Sequence, residues 1–294
     1  MKVLGSYTNG NYVVTINDDG TKIKETDADF FDAQFPESMD VKITNYCDMG
    51  CPMCHEDSSI QGKHGDILNV KFIDSLRPYT EMAIGGGNPL SHPDLIPFLE
   101  KLRSKSVIAN MTVNQKHFMD NIEEIQRLID EKLIYGLGVS LRKYSDEFVN
   151  ELSKFPNAVI HVINGIVCID DLRKMYDKNL KLLILGYKIF RRGFDYAIQA
   201  DMTIDNRQRQ LYNELAEITK RFQVVSFDNK ALDQLNVRRL LTDEQWNSFY
   251  QGDDGSHTMY VDLVKQEFAL NSTSDETFEL MDSIDEMFAV VKQI

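Results

Sequence analysis

From Met39 onward the chain alternates short apolar runs with amphipathic stretches, and that rhythm restricts it to few architectures. "MDVKITNY" reads as a strand through its Val41/Ile43 alternation. "EMAIGGG" reads as a short apolar strand ending in glycines, and "SVIANMTV", "IYGLGVSL", "NAVIHVI" and "LKLLILGYKI" as further strands. The intervening "LNVKFIDSLRPY", "HPDLIPFLEKLRSK", "DNIEEIQRLIDEKL", "SDEFVNELSKF" and "IDDLRKMYDKN" read as helices. Leu95, Phe98, Leu99 and Leu102 share one face behind Pro93, and Ile122, Ile125, Ile129 and Leu133 form a second stripe. Repeated strand–helix units with strands this short predict a parallel sheet covered on both faces, an α/β fold of barrel-like spacing.

The flanks differ from this rhythm. In residues 1–38, "GSYTNGNYVVTINDDGTKI" carries the turn signals Asn9-Gly10 and Asp19-Gly20 around a β-rich run, which predicts a small N-terminal β-hairpin element. The repeating core spans 39–225, with a helix at about 205–222 marked by Leu211, Leu215, Ile218 and Phe222. Residues 226–294 form a C-terminal α/β extension in this reading. "VVSF" is a strand candidate, "HTMYVDLVKQEFALNS" a hairpin, and a last amphipathic helix starts at Ser274.

The net charge of −14 argues against non-specific binding of nucleic acid, whose phosphates attract basic surfaces. "MKVLGSYTNGNYVV" has no apolar core of a signal peptide, and no apolar run is long enough to span a membrane, so a cytoplasmic protein with no membrane partner is expected. Only four cysteines occur, and Cys47, Cys51 and Cys54 crowd into "KITNYCDMGCPMCHEDS", directly after the first strand of the repeat. That usage does not suit a secreted disulfide framework. Three thiolates from one loop suit a soft metal centre: an iron–sulfur cluster, zinc or Cu(I). Zinc would need a fourth ligand, and the adjacent His55 is badly placed to supply it, whereas a four-iron cluster on three cysteines keeps one iron open to a ligand.

The C-x3-C-x2-C spacing after such a strand resembles the radical SAM enzymes, from about Met39 to about Gly193. The resemblance implies a partial (β/α)6 TIM-like barrel. It implies that Cys47, Cys51 and Cys54 each bind one iron of a [4Fe-4S] cluster whose fourth iron is chelated by S-adenosylmethionine. Reductive cleavage of that cofactor would then release a 5′-deoxyadenosyl radical that abstracts hydrogen from a substrate. Met53 stands where the family often has an aromatic residue against the adenine, a gap that a polarizable thioether can fill.

"GGNPL" resembles the family's "GGEP" motif, so Gly86, Gly87 and Asn88 are implied to receive the methionine amino group. Asn88 replaces the glutamate and accepts a hydrogen bond without bringing a charge. The same resemblance points to Asn114 and Ser140, at the ends of the third and fourth strands, and to Arg142 as a carboxylate partner.

Other polar residues read more plainly. His92 helps to start a helix, Glu56 and Asp57 are helix-start acids, Lys188 is solvated and Cys168 is a lone buried thiol. The resemblance implies an electron donor such as flavodoxin or ferredoxin and a peptide or small-molecule substrate. No cysteine after Cys168 offers ligands for a further cluster. Two other readings fit the same residues: a zinc-binding regulatory or binding protein, and a degenerate barrel that binds S-adenosylmethionine without turnover.

Overall fold

The computed structural model describes residues 2–294. An N-terminal antiparallel sheet comprises β1 (Val3–Asn9), β2 (Tyr12–Asn17) and β3 (Lys22–Glu25), in that order. The two turn signals connect its strands as expected, and the hairpin gains a third strand.

The remaining strands form one ten-stranded sheet. They are β4 (Ser38–Thr44), β5 (Glu81–Gly86), β6 (Ile108–Asn114), β7 (Gly136–Ser140), β8 (Ala158–Ile163), β9 (Lys181–Leu185), β10 (Val224–Phe227), β11 (Thr258–Asp262), β12 (Glu267–Ala269) and β13 (Phe278–Glu279). The order is β10-β9-β8-β7-β6-β5-β4-β11-β12-β13. Pairing is parallel from β10 through β4 to β11, and antiparallel for β12 and β13. The helices are α1 (Leu95–Ser104), α2 (Gln115–Asp120), α3 (Ile122–Asp130), α4 (Asp146–Leu152), α5 (Ile169–Arg173), α6 (Arg192–Gln199), α7 (Asp201–Arg221), α8 (Asn229–Gln234), α9 (Asp243–Phe249) and α10 (Ile284–Val291). Among the described residues, no helix is long and apolar enough to cross a membrane.

Strand alternation decides where the core sits. Met39, Val41 and Ile43 of β4, Met82 and Ile84 of β5, and Leu182 and Ile184 of β9 face the helices and are buried. There they meet the apolar stripes of α1, α3 and α7, including Phe98, Leu99, Ile125 and Leu215. The opposite face is polar. Asp40 stays exposed, and Asn110, Thr112 and His161 are half-buried. The expected doubly covered apolar sheet is therefore buried fully on one face only, because "MDVKIT" and "ANMTVN" alternate apolar with polar residues.

Two elements depart from the sequence reading. Residues 68–79 contain only a 3-10 turn, Lys71–Ser75. Phe72 and Ile73 are both fully buried there, held by a single short turn rather than a helical stripe. The last helix begins at Ile284 rather than Ser274. The segment ahead of it adds β13 to the sheet, where Phe278 stacks on Phe268 with ring centroids 5.4 Å apart. The tail also inserts β11 beside β4, from Thr258 opposite Ser38 to Asp262 opposite Lys42. Segments near the two sheet edges are bridged by Asp254, which accepts from Asn229 Nδ2 at 2.8 Å and from Asn271 Nδ2 at 2.9 Å.

Candidate metal and cofactor site

Parallel strands present all their carboxyl ends on one side of the sheet, where ligands of such sheets bind. The cysteine loop leaves β4 on that side. The end of β5 is zipped against it: the Gly87 N–H donates to the Thr44 carbonyl at 2.8 Å and the Asn88 N–H to the Tyr46 carbonyl at 2.7 Å. A Cβ on Gly87 would lie 2.1 Å from the Tyr46 oxygen, and one on Gly86 would lie 2.4 Å from the Thr44 oxygen. Gly86 also has φ +108°, outside the range that side chains tolerate. The room that these two glycines leave is occupied by the chain's own backbone. Gly85 differs, since a Cβ there would have nothing within 4 Å.

Within the loop, the Cys47 N–H donates to the Ser59 carbonyl at 2.9 Å and the Cys54 N–H to the Cys51 carbonyl at 3.2 Å. All three cysteines are free and half-buried. Burial pushes the Cys47 and Cys51 thiols up, and Cys54 pushes both further. Arg142 and Arg192 pull Cys51 back down, so both guanidiniums act on the loop.

One donor group of three atoms lies within 4.8 Å of one another among the described residues: Cys47 Sγ, an Asp48 oxygen and a His117 nitrogen. The three cysteine sulfurs are not all that close together. A tetrahedral zinc with bonds of about 2.3 Å would hold sulfurs about 4 Å apart. As they stand, the three sulfurs do not converge on one tetrahedral ion. Asn88 supplies the second test of fit. Its Oδ1 is buried without a hydrogen-bond partner, a cost that a donor such as an ammonium would remove.

The remaining expected residues stand around the same strand ends. Met53 is half-buried in the loop. Asn114 ends β6 and caps α2, its Oδ1 accepting from the Lys116 N–H at 3.0 Å. Ser140 ends β7 directly opposite Asn114 and is half-buried. Arg142 is exposed, with its backbone N–H donating to Gln115 Oε1 at 2.8 Å. His92 acts at the start of α1 as expected, its Nδ1 accepting from the Asp94 N–H at 3.1 Å. Cys168 is half-buried just before α5.

Two expectations are corrected. Glu56 starts no helix: it is 7% exposed and belongs to a buried ionic network. Lys42, inside β4, lies 2.8 Å from Glu56 and 3.3 Å from Asp262, Arg191 lies 3.5 Å from Glu56, and the Tyr260 hydroxyl donates to Glu56 at 3.2 Å. Burial pushes the Glu56 carboxyl up, but His55 and Lys42 outweigh it and hold the group well below the ordinary range. Lys188 is not solvated either. It donates to Ser272 Oγ at 2.8 Å and lies 3.4 Å from His55 Nε2.

The chain past Cys54 thus folds back over the polar face of the sheet. Asp40 on that face is open to solvent but ringed by protein atoms, which raise it, with Lys188 opposing and Asp254, Asp228 and Glu56 reinforcing, so these groups surround one space. The network was missed because its partners are far apart in sequence. A lysine inside the apolar run of β4 was its one visible sign.

No family model matches the chain, and no curated protein matches it in sequence. Solved structures do share its fold. Streptococcus suis SuiB bound to the precursor peptide SuiA superposes with a TM-score of 0.58 at 12% identity, over 89% of this chain and 67% of that one. SuiB bound to S-adenosylmethionine gives 0.56 at 12% identity, over 87% and 66%, and SuiB alone gives 0.54 at 11%, over 88% and 66%. The chain spans about two thirds of SuiB. At such identities the likeness is one of fold.

Proposed function

We propose that the chain is a radical S-adenosylmethionine enzyme with a single four-iron cluster held by Cys47, Cys51 and Cys54. The observation that carries this reading is the cysteine loop locked beside Asn88, whose buried oxygen lacks a donor. The shared fold with SuiB, which binds S-adenosylmethionine and a precursor peptide, supports the cofactor and favours a peptide over a small metabolite as substrate. The Asp254 bridge between the sheet's edge segments supports reading the sheet as a partial (β/α)6 barrel.

Bound there and reduced by a donor such as flavodoxin or ferredoxin, such a cluster would supply the electron for reductive cleavage of the sulfonium of S-adenosylmethionine. The chain's residues bind and orient. Asn88 Oδ1 accepts from the methionine ammonium, and Met53 packs on the adenine. Asn114 and Ser140 contact the ribose, and Arg142 pairs with the carboxylate. The Lys42–Glu56–Tyr260 network fixes the loop on the sheet, and Asp40 and Lys188 line the substrate space. The Cys47–Asp48–His117 group favours a single ion instead, but it leaves Cys51 and Cys54 unused.

Anaerobic reconstitution with iron and sulfide gives a brown protein under this reading, and zinc uptake gives a colourless one. Incubation with dithionite and S-adenosylmethionine yields 5′-deoxyadenosine. A fully loaded cluster that releases none of it refutes turnover and leaves a barrel that only binds the cofactor. Alanine at Cys47, Cys51 or Cys54 abolishes iron and sulfide binding, and Cys168→Ala leaves both unchanged.

A further inference from the structure

We infer that His117 and Asp48 are positioning residues that set the reduction potential of the group held by Cys47, an inference that rests on the cluster reading above. His117 lies in α2, next to the cysteine loop, and is 4% exposed. Its ring nitrogen Nε2 is 2.6 Å from Asp48 Oδ1 across 69 positions of sequence. Its other ring nitrogen, Nδ1, is buried and has no partner. The Cys47 sulfur lies within 4.8 Å of the ligand atoms of this pair. His117 thus pairs one ring nitrogen with Asp48 and keeps the other buried without a partner, where buried polar groups are almost always satisfied.

The electrostatics give the direction. Asp48 follows Cys47 in the chain, so its carboxylate stands beside one corner of the site. Negative charge there opposes addition of an electron, because net charge and hydrogen bonds around the sulfurs set such potentials. The His117 hydrogen bond withdraws part of that charge and fixes where the carboxylate points. The couple is one-electron: the oxidised cluster takes an electron from a low-potential donor, dithionite in the test, and no bond forms or breaks.

The test is an anaerobic redox titration of the reconstituted full chain, followed by electron paramagnetic resonance, with iron and sulfide counted for each variant. His117→Ala leaves the carboxylate uncompensated and makes reduction about tenfold less favourable, about 59 mV lower for one electron. Asp48→Asn moves the potential the other way, and His117→Gln, which keeps a donor, recovers part of the loss. In the Asp48→Asn background, removing His117 has little further effect. Asp48 is half exposed, so Asp48→Asn carries the test even if His117→Ala does not fold. A wild-type protein that holds no cluster overturns the cluster reading and this inference together. Loaded clusters with unchanged potentials overturn the inference alone.

Discussion

Gly85, Gly86 and Gly87 are glycine for different reasons, which stability measurements separate. Gly87→Ala drives a methyl group against the Tyr46 carbonyl at 2.1 Å, backbone against backbone, so nothing flexible can give way. The expected cost is about 1–3 kcal/mol, as for other overpacked sites, or loss of the loop's closure. Gly85→Ala meets open space in an ordinary strand conformation and stays within about 0.5 kcal/mol of the parent. Urea midpoints for the two variants check this, and equal losses would refute the assignment of the close contact. At this scale the cysteines and the glycine run were readable as motifs. The zipper from Gly87 to Thr44 was not, because nothing in a local run states which strand lies beside it.

The elements β4, β11 and the cysteine loop are joined by the Lys42 network. Lys42 and Glu56 side chains are 3% and 8% exposed, so removing the Lys42 charge takes the lysine from Asp262 and leaves Glu56 to the more distant Arg191. Lys42→Met is expected to cost about 3–5 kcal/mol, the range for a broken buried pair. In the double variant Lys42→Met/Glu56→Gln part of that loss returns, which a double-mutant cycle by chemical denaturation detects. Additive losses would show that the pair does not interact. Local signals placed most elements here: the stripes of α1 and α7 lie where the periodicity predicted. They failed at residues 68–79, where neighbouring apolar residues serve a 3-10 turn, and at β13, which is a strand only because β12 is beside it.

Across the whole molecule, the N-terminal sheet is fastened to the large sheet through Tyr12, Glu37 and His257. The Tyr12 hydroxyl donates to Glu37 at 2.6 Å, and the Glu37 N–H donates to the His257 carbonyl at 2.8 Å. Burial first, and then the Lys24 charge, push the His257 imidazole down to about 4. An unfolded histidine takes up its proton near pH 6.5, so between about 6.5 and 4 the unfolded chain binds more protons. Stability from this group is present above that window and is lost as pH falls through it, by on the order of 3 kcal/mol. Denaturation of the parent and of His257→Asn between pH 7 and 4 checks this, and the variant should show the shallower slope. Parallel slopes would refute a role for His257 in the acid sensitivity.

Composition and local pattern were enough to specify an α/β chain, its main strands, and a three-cysteine loop suited to a soft metal group. Those depend on alternation, helical periodicity and thiol chemistry, which act over a few residues. The tertiary structure alone decided that β11 returns beside β4, that one sheet face stays polar and open, and that Lys42 finds Glu56 and Asp262. It also brought His117 onto Asp48. These are contacts between groups far apart along the chain, and their burial and charge balance exist only once the strands are side by side.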